Sequence, residues 1–344
     1  MFYALMQTEP MPQALTNAGP LALEYCIGYF VTRSLMSDGT QALSFINFLC
    51  CGIAVVGLLG LLDTIAHRYL VHGLTQMLFD GPTVLDAGER LGLWRATSTL
   101  GHPILFGATS SFGLLLAASV PIRRKAFAIV SCSIGLLIAL SSAPIQGTIM
   151  GFGLLAYNRL LVGIRFRWGG LMTITIIGIT IMFATIDNPF GYVFNHLVFD
   201  VESAYYRMYI WQMATAAISD SPWFGISFIY PSSYEIPSTV DSLWLVWALQ
   251  FGIPGAVLFL LSMVGAASLP TNGRGVHLTP AESKLGTILG IIIFLFVFFG
   301  LTVHFFGTAW ILIPLLVGVR ARLGEIGRAR DVEEVSQGLG LASR

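Results

Sequence analysis

The stretch AFAIVSCSIGLLIALSSAPIQGTIMGFGLLAYN, from Ala126 to Asn158, carries no charged residue. A helix needs about 20 apolar residues to cross a bilayer, so this run is too long for one span and slightly short for two. Ser141-Ser142-Ala143-Pro144 supplies a break at its middle, because proline disfavours helix at the residue before it. One span or two decides which loops share a side of the membrane. With two, Arg123, Arg124 and Lys125 fall on the same side as Arg159, Arg165 and Arg167. Arg33, Arg274, Lys284 and the C-terminal Arg320, Arg322, Arg328, Arg330 and Arg344 join them. All but four of the 18 Lys and Arg residues then share one side, the exceptions being Arg68, Arg90, Arg95 and Arg207. The positive-inside rule makes the crowded side cytoplasmic. A single span would scatter these groups, so two are assigned.

The rest of the chain fits that frame. Of its 344 residues, 55% are hydrophobic and 10% charged, against about 25% charged in a soluble domain. Hydropathy places about nine spans, near 20–36, 41–62, 101–120, 126–142, 145–164, 168–187, 242–268, 285–303 and 305–319. The expected fold is all-α, a polytopic helical integral membrane protein forming one membrane domain over 1–344. Two large loops face outward, 63–100 and 188–241, and a cytoplasmic tail covers 320–344. The N-terminus comes out external, which points to an upstream piece with an odd number of spans. The first residues lack the basic start and long apolar core of a signal peptide. Net charge is zero and no basic tract occurs, which excludes nucleic acid as a partner. Cys26, Cys50, Cys51 and Cys132 lie in apolar runs and read as small buried hydrophobes. No inverted half-repeat of transporter type is present. Glu24 interrupts the first span, and an acid there is a functional candidate unless it lies near the outer interface.

The outward loops carry the candidate chemistry. Ser203 to Ile226 reads SAYYRMYIWQMATAAISDSPWFGI. Tyr206, Ile210, Met213 and Ala217 fall on one helical face, and Arg207 and Trp211 share the adjacent one. Pro222 ends that helix and Gly225 permits a sharp return. This predicts an amphipathic helix on the outer leaflet, with Arg207 at the depth of a lipid phosphate. Ordinary headgroup binding by Arg207 and belt placement of Trp211 explain the spacing equally well. In the other loop, Arg90 and Arg95 precede His102-Pro103, where proline suits a first helical turn. Arg90 reads most simply as an interface anchor and His102 as a hydrogen-bonded interface histidine. Asp241 opens the span at 242–268. It can cap that helix or act as a base beside an arginine site. Asp200 and Glu202 form a spaced carboxylate pair that could hold a divalent ion, although the pattern is common in loops and no metal is assigned.

Three segments carry a family resemblance. One is Arg95 to Gly107, RATSTLGHPILFG. The second is Arg207-x-x-x-Trp211 followed by Ser221-Pro-Trp-Phe-Gly225. The third is Asp241-Ser-Leu-Trp-Leu245 with Phe251-Gly-Ile-Pro-Gly255. In this order and on one face, they resemble the O-antigen ligase and polymerase superfamily of bacterial envelope glycosyltransferases, over about 20–320. Two departures favour a polymerase-like member. Ligases carry a histidine where this chain has Asp241, and the family's Ser-Arg-Gly appears here as Ser141-Ser-Ala-Pro-Ile-Gln-Gly147, without the arginine. The resemblance implies transfer of an undecaprenyl-diphosphate-linked oligosaccharide on the periplasmic face of the bacterial inner membrane, with no cofactor. It implies the lipid bilayer and a polysaccharide chain-length regulator as partners. Arg95, Arg207 and Asp241 become the catalytic candidates, and Trp211, Trp223, His102 and Arg90 the substrate-binding ones. Ligation to a lipid acceptor, and a non-catalytic scaffold or transporter role in polysaccharide export, stay open at this point.

Overall fold

The computed structural model describes residues 1–79, 87–164, 166–187, 189, 191–192, 201–234, 236–237, 239–271 and 275–341. Among them the secondary structure is helical apart from one two-stranded hairpin. The helices are α1 (Phe2–Thr8), α2 (Met11–Leu35), α3 (Gly39–Ala66) and α4 (Leu70–Phe79), followed by strands β1 (Glu89–Arg90) and β2 (Leu93–Trp94). Then come α5 (Pro103–Ser119), α6 (Lys125–Ile138), α7 (Ser142–Leu160), α8 (Arg167–Thr185) and α9 (Val201–Asp220). The last three are α10 (Leu243–Ala267), α11 (Pro280–Phe299) and α12 (Thr308–Leu341). Four of these, α3, α8, α10 and α11, are long and apolar enough to cross a membrane, and α4, α5 and α6 are shorter apolar helices. Each of the nine predicted spans falls on a helix. Helix α12 continues through residue 320 without a break, and its part up to about residue 327 packs against its neighbours, while residues 332–337 are exposed.

Helix α8 shows what solvent the fold requires. None of its residues is buried, yet Ile174, Ile176, Ile177, Ile179, Ile181 and Phe183 stand more than half or about half exposed. An apolar helix with no buried face is at home only in hydrocarbon. The opposite case is α5, buried over almost its whole length and packed on α3, α6 and α7. Helices α3 and α6 meet closely because Gly57 has no side chain: a Cβ there would stand 2.6 Å from the Ser131 carbonyl oxygen. Small residues at such crossings let backbones approach where lipid supplies no hydrophobic drive. On the other side of the bundle, α2 lies along α12, and Trp247 stacks on Phe259 with ring centroids 4.1 Å apart.

The uncharged run does contain two helices, α6 and α7, but the break lies earlier than proline suggests. Leu140 takes a left-handed conformation, φ 48°, and Pro144 sits inside the first turn of α7. Proline is tolerated there because a first-turn N–H has no helical partner to lose. The first span also starts early, at Met11, and passes through Pro20. Glu24 is exposed on its surface. Cys50 and Cys132 are buried, whereas Cys26 is exposed.

A second, smaller core sits beside the end of the bundle where α10 begins. In it Ile210, Ala214, Ala217 and Ile218 of α9 pack against Leu245, Val246 and Leu249 of α10. The buried face of α9 is therefore turned from the predicted one. Ile210 and Ala217 are inside, but Tyr206 is 43% exposed, with its hydroxyl 3.3 Å from Thr239 Oγ1. The helix is held by protein, not only by a lipid surface, because α10 offers it an apolar face.

Candidate active site

Helix α10 is two helices joined at Gly252, whose φ of 75° breaks the run. The break leaves backbone groups that the turn after α9 satisfies. Ile253 N–H donates to the Pro222 carbonyl at 2.8 Å, and Ile226 N–H donates to the Leu249 carbonyl at 2.7 Å. Both crossing points need glycine. Gly225 has φ 78°, and a Cβ on it would collide with the Leu249 carbonyl, as one on Gly252 would with that of Trp223. The Ser221–Gly225 and Phe251–Gly255 segments thus form one docked unit. Exposed apolar side chains on α10 begin only at Ile253. The half before the break is buried in protein.

This unit places Asp241. The N-cap of α10 is Ser242, whose Oγ accepts from Leu245 N–H and donates to the Gly300 carbonyl at 3.0 Å. Asp241 is left just outside the helix without the capping role. Among the described residues nothing donates a hydrogen bond to its carboxylate. Burial raises its pKa above the usual carboxylate range, and Arg207 pulls it partly back. A carboxylate with a raised pKa and no fixed hydrogen-bond donor is suited to accept a proton.

The opposite wall is built from the loop between α3 and α5. Asp63, fully buried near the end of α3, accepts Leu70 N–H at 2.9 Å, Thr97 N–H at 3.3 Å and Ser98 N–H at 2.7 Å. Ser98 is held left-handed, φ 57°, and its Oγ donates to the Val56 carbonyl at 2.8 Å. The chain then runs along the C-terminus of α6. Ala96 N–H meets the Ile138 carbonyl at 3.2 Å, Arg95 Nε lies 3.5 Å from the Ala139 carbonyl and Arg90 Nη1 3.2 Å from that of Leu140. Cations at a helix C-terminus complement its dipole. Both arginines therefore have a structural role as well as a position in the site.

The charged groups from these walls interact. Arg95 is 7% exposed. Burial pushes its pKa down to about 10, Arg90 and Arg207 push the same way, and Tyr69 opposes them. It remains a cation at neutral pH. His102 is pushed down to about 4 by burial, then by Arg95, Arg207 and Arg90. It is neutral, and its Nδ1 accepts Ile104 N–H at 3.2 Å as the N-cap of α5. That bond puts the proton on Nε2, so His102 can donate from the ring but is a poor base at this position. Arg90, Arg95, His102 and Arg207 therefore act on one another, and Arg207 links this group to Asp241. Arg207 itself is half-buried, one turn from Trp211 on α9.

Two candidates lie differently. Trp211 packs against the smaller core and is partly buried. Trp223 is 70% exposed, with only its backbone tied to the Gly252 break. The carboxylate pair falls outside the described residues, since Asp200 and the side chain of Glu202 are not among them. Among the described residues, no cluster of three or more His, Cys, Asp or Glu side chains could hold a metal ion.

Two residues were not singled out from the sequence. Asp63 is a lone acid at the C-terminal end of an apolar run, which is the signal that marks it. His304 lies in the short connection between α11 and α12. Burial pushes its pKa down to about 4, and its ring is 5.8 Å from that of Phe306. A Cβ on Gly101 would stand 2.9 Å from Phe306, while Val303 accepts Leu243 N–H at 3.3 Å. The connection therefore bridges the mouths of α5 and α10, between His102 and Asp241.

Residues 127–260 match the family model described as O-Antigen ligase. The match supports the resemblance to the O-antigen ligase and polymerase superfamily read from the sequence. It takes in Arg207, the Ser221–Gly225 turn, Asp241 and the Gly252 break. It leaves Arg90, Arg95 and His102 outside. No curated protein matches the chain.

Proposed function

We propose that this chain is a glycosyltransferase of the bacterial inner membrane, with about nine spans. It extends or transfers lipid-linked polysaccharide on the outer face, in the manner its family resemblance suggests. The observation that carries this reading is that Arg90, Arg95 and Arg207 act on one another or on a neutral His102, while Arg207 also acts on Asp241. Three guanidinium groups against one carboxylate make the site a receptor for a multivalent anion. A polyprenyl diphosphate presents that charge at headgroup depth.

The chemistry follows from the charges. Breaking the bond between a sugar and a diphosphate builds negative charge on the leaving group. Arginines placed in advance stabilise that charge without reorganising. The donor bond already stores the driving energy, so no nucleotide is needed. Asp241 would take the proton of the acceptor hydroxyl as that oxygen attacks the anomeric carbon, and the diphosphate would leave toward Arg95 and Arg207. Neutral His102 can donate a hydrogen bond from Nε2. Trp223, being exposed, is the better sugar platform; Trp211 serves to hold α9.

Asp241 at the mouth of α10 favours chain extension by a polymerase over ligation to a final lipid acceptor. Polymer length in envelope extracts decides between them. Cells carrying Arg207→Ala or Asp241→Ala at matched protein levels should accumulate single lipid-linked repeats and lose the ladder. Ladders that persist while attachment to the final acceptor fails would identify a ligase. A normal ladder and normal attachment would contradict the enzymatic reading.

A further inference from the structure

A cavity of about 420 Å³ opens between α2, α10 and α12 at the arginine-rich end of the bundle, away from the outer cluster. Three helix faces make it. Tyr25, Tyr29 and Arg33 stand one turn apart on α2, and Val317, Ala321 and Glu325 do the same on α12. On α10 the wall is Gly265 and Ala266, whose small side chains leave the space open. A Cβ added to Gly265 would meet nothing within 4 Å.

The lining is ordered along the helix axes. Its inner part is largely apolar, with Val317 buried and Tyr25 packed against Phe259 and Trp310. Its rim carries Arg33, Glu325 and Arg328. Eight residues separate Tyr25 from Arg33, which is about 12 Å of helix. Arg33 is clamped in place: Nε donates to Glu325 Oε1 at 2.7 Å, Nη1 donates to Tyr29 Oη at 2.8 Å, and the guanidinium lies 5.5 Å from the Tyr29 ring centre. Glu325 also takes Arg322 Nη1 at 3.1 Å. The one carboxylate is thus shared by two arginines. Among the described residues Arg328 has only the Gly324 carbonyl, on Nε at 3.2 Å. The rim keeps a net positive charge.

We propose that this cleft holds an anionic phospholipid from the adjacent leaflet, with its phosphate at Arg33 and Arg328 and an acyl chain along the apolar shaft toward Tyr25. Basic clefts between spanning helices on the arginine-rich side suit such headgroups. A free phosphate has the same headgroup chemistry but uses only the rim. The 12 Å apolar shaft selects the lipid. Exposed Phe30 on α2 and Leu258 and Leu261 on α10 continue the apolar surface outside the cleft, so a second chain stays in the bilayer.

The test uses the full chain purified in detergent and titrated with phosphatidylglycerol, phosphatidylethanolamine or inorganic phosphate. Retained lipid is read by native mass spectrometry and stabilisation by melting temperature. One phosphatidylglycerol should be retained per chain, in preference to phosphatidylethanolamine. Arg328→Gln should weaken that binding about fivefold, and Gly265→Leu should abolish it while leaving lipid-free melting near wild type. If Gly265→Leu does not fold, Arg328→Gln, which breaks no side-chain pair, carries the test alone. Equal retention of both lipids, or unchanged binding in the variants, would overturn the proposal. Stabilisation by inorganic phosphate to the same extent would overturn it too, in favour of a soluble-anion site.

Discussion

Asp63 accepts the backbone N–H of Ser98 at 2.7 Å across 35 residues of chain. A buried carboxylate thereby shapes the loop that delivers Arg95, without touching the charged cluster itself. Asp63→Ala would leave the Leu70, Thr97 and Ser98 N–H groups without their acceptor. Each buried unsatisfied group costs about 1–3 kcal/mol. The expected outcome is a lower melting temperature in detergent together with loss of transfer. Asp63→Asn keeps one acceptor oxygen and should fall between. A variant with wild-type melting and wild-type activity would remove Asp63 from the account.

The crossing of Gly225 and Gly252 predicts a local but severe effect. Alanine at 252 takes a left-handed cost of about 1–2 kcal/mol and meets the Trp223 carbonyl. Gly252→Ala and Gly225→Ala should each destabilise the protein by at least about 2 kcal/mol. Because both open the same joint, the double variant should cost less than the sum. Thermal or denaturant unfolding of the four proteins in one detergent checks this.

The nine helices that fall on predicted spans were legible because an apolar run of that length has few other uses. Charge counting supplies the expectation that Arg68, Arg90, Arg95 and Arg207 face outward. Other features were not legible. The α6–α7 break depends on Leu140 adopting a left-handed turn, which no residue type announces. The cap of α10 went to Ser242 because the Gly300 carbonyl fixes its hydroxyl, a contact from 58 residues away. The buried face of α9 is set by where α10 stands, so periodicity placed Ile210 and Ala217 correctly and Tyr206 wrongly. Asp63 carries a sequence signal as a lone acid in an apolar run, but its Thr97 and Ser98 partners, 34 and 35 residues away, are visible only in the fold.

The electrostatic influence of Arg207 on Asp241 has a pH consequence. Burial raises the Asp241 pKa and Arg207 lowers it. A base is active only when deprotonated, so activity should be lost as pH falls through a value above the ordinary Asp range. Removing Arg207 removes the lowering influence. The residual activity of Arg207→Ala should therefore fail at a higher pH than wild type. An acid limb that stays put, or moves to lower pH, contradicts the coupling.

Glu9 ties the N-terminal helices to the segment that follows the Ser221–Gly225 turn. Its carboxylate accepts from the Ser227 hydroxyl, from Phe228 N–H at 2.7 Å and from Asn17 Nδ2 at 2.8 Å. Burial alone would raise its pKa, but these bonds outweigh burial and lower it. A lowered folded-state value means stability that is present above the unfolded pKa and lost as pH falls through the folded one. Glu9→Gln should cost about 2 kcal/mol at neutral pH and less in acid, where wild type loses the same contribution. Melting temperature against pH for the two proteins should converge on acidification; parallel curves would contradict the assignment.

The most direct test of the central claim is in vitro transfer by the purified chain from a defined polyprenyl-diphosphate oligosaccharide. Wild type, Arg207→Lys and Asp241→Asn are compared, with freed polyprenyl diphosphate as the readout. Lysine keeps the charge but not the paired donors. The account predicts release by wild type and a loss of roughly 100-fold or more in each variant, with melting temperatures unchanged. Full release by Arg207→Lys and Asp241→Asn would contradict it.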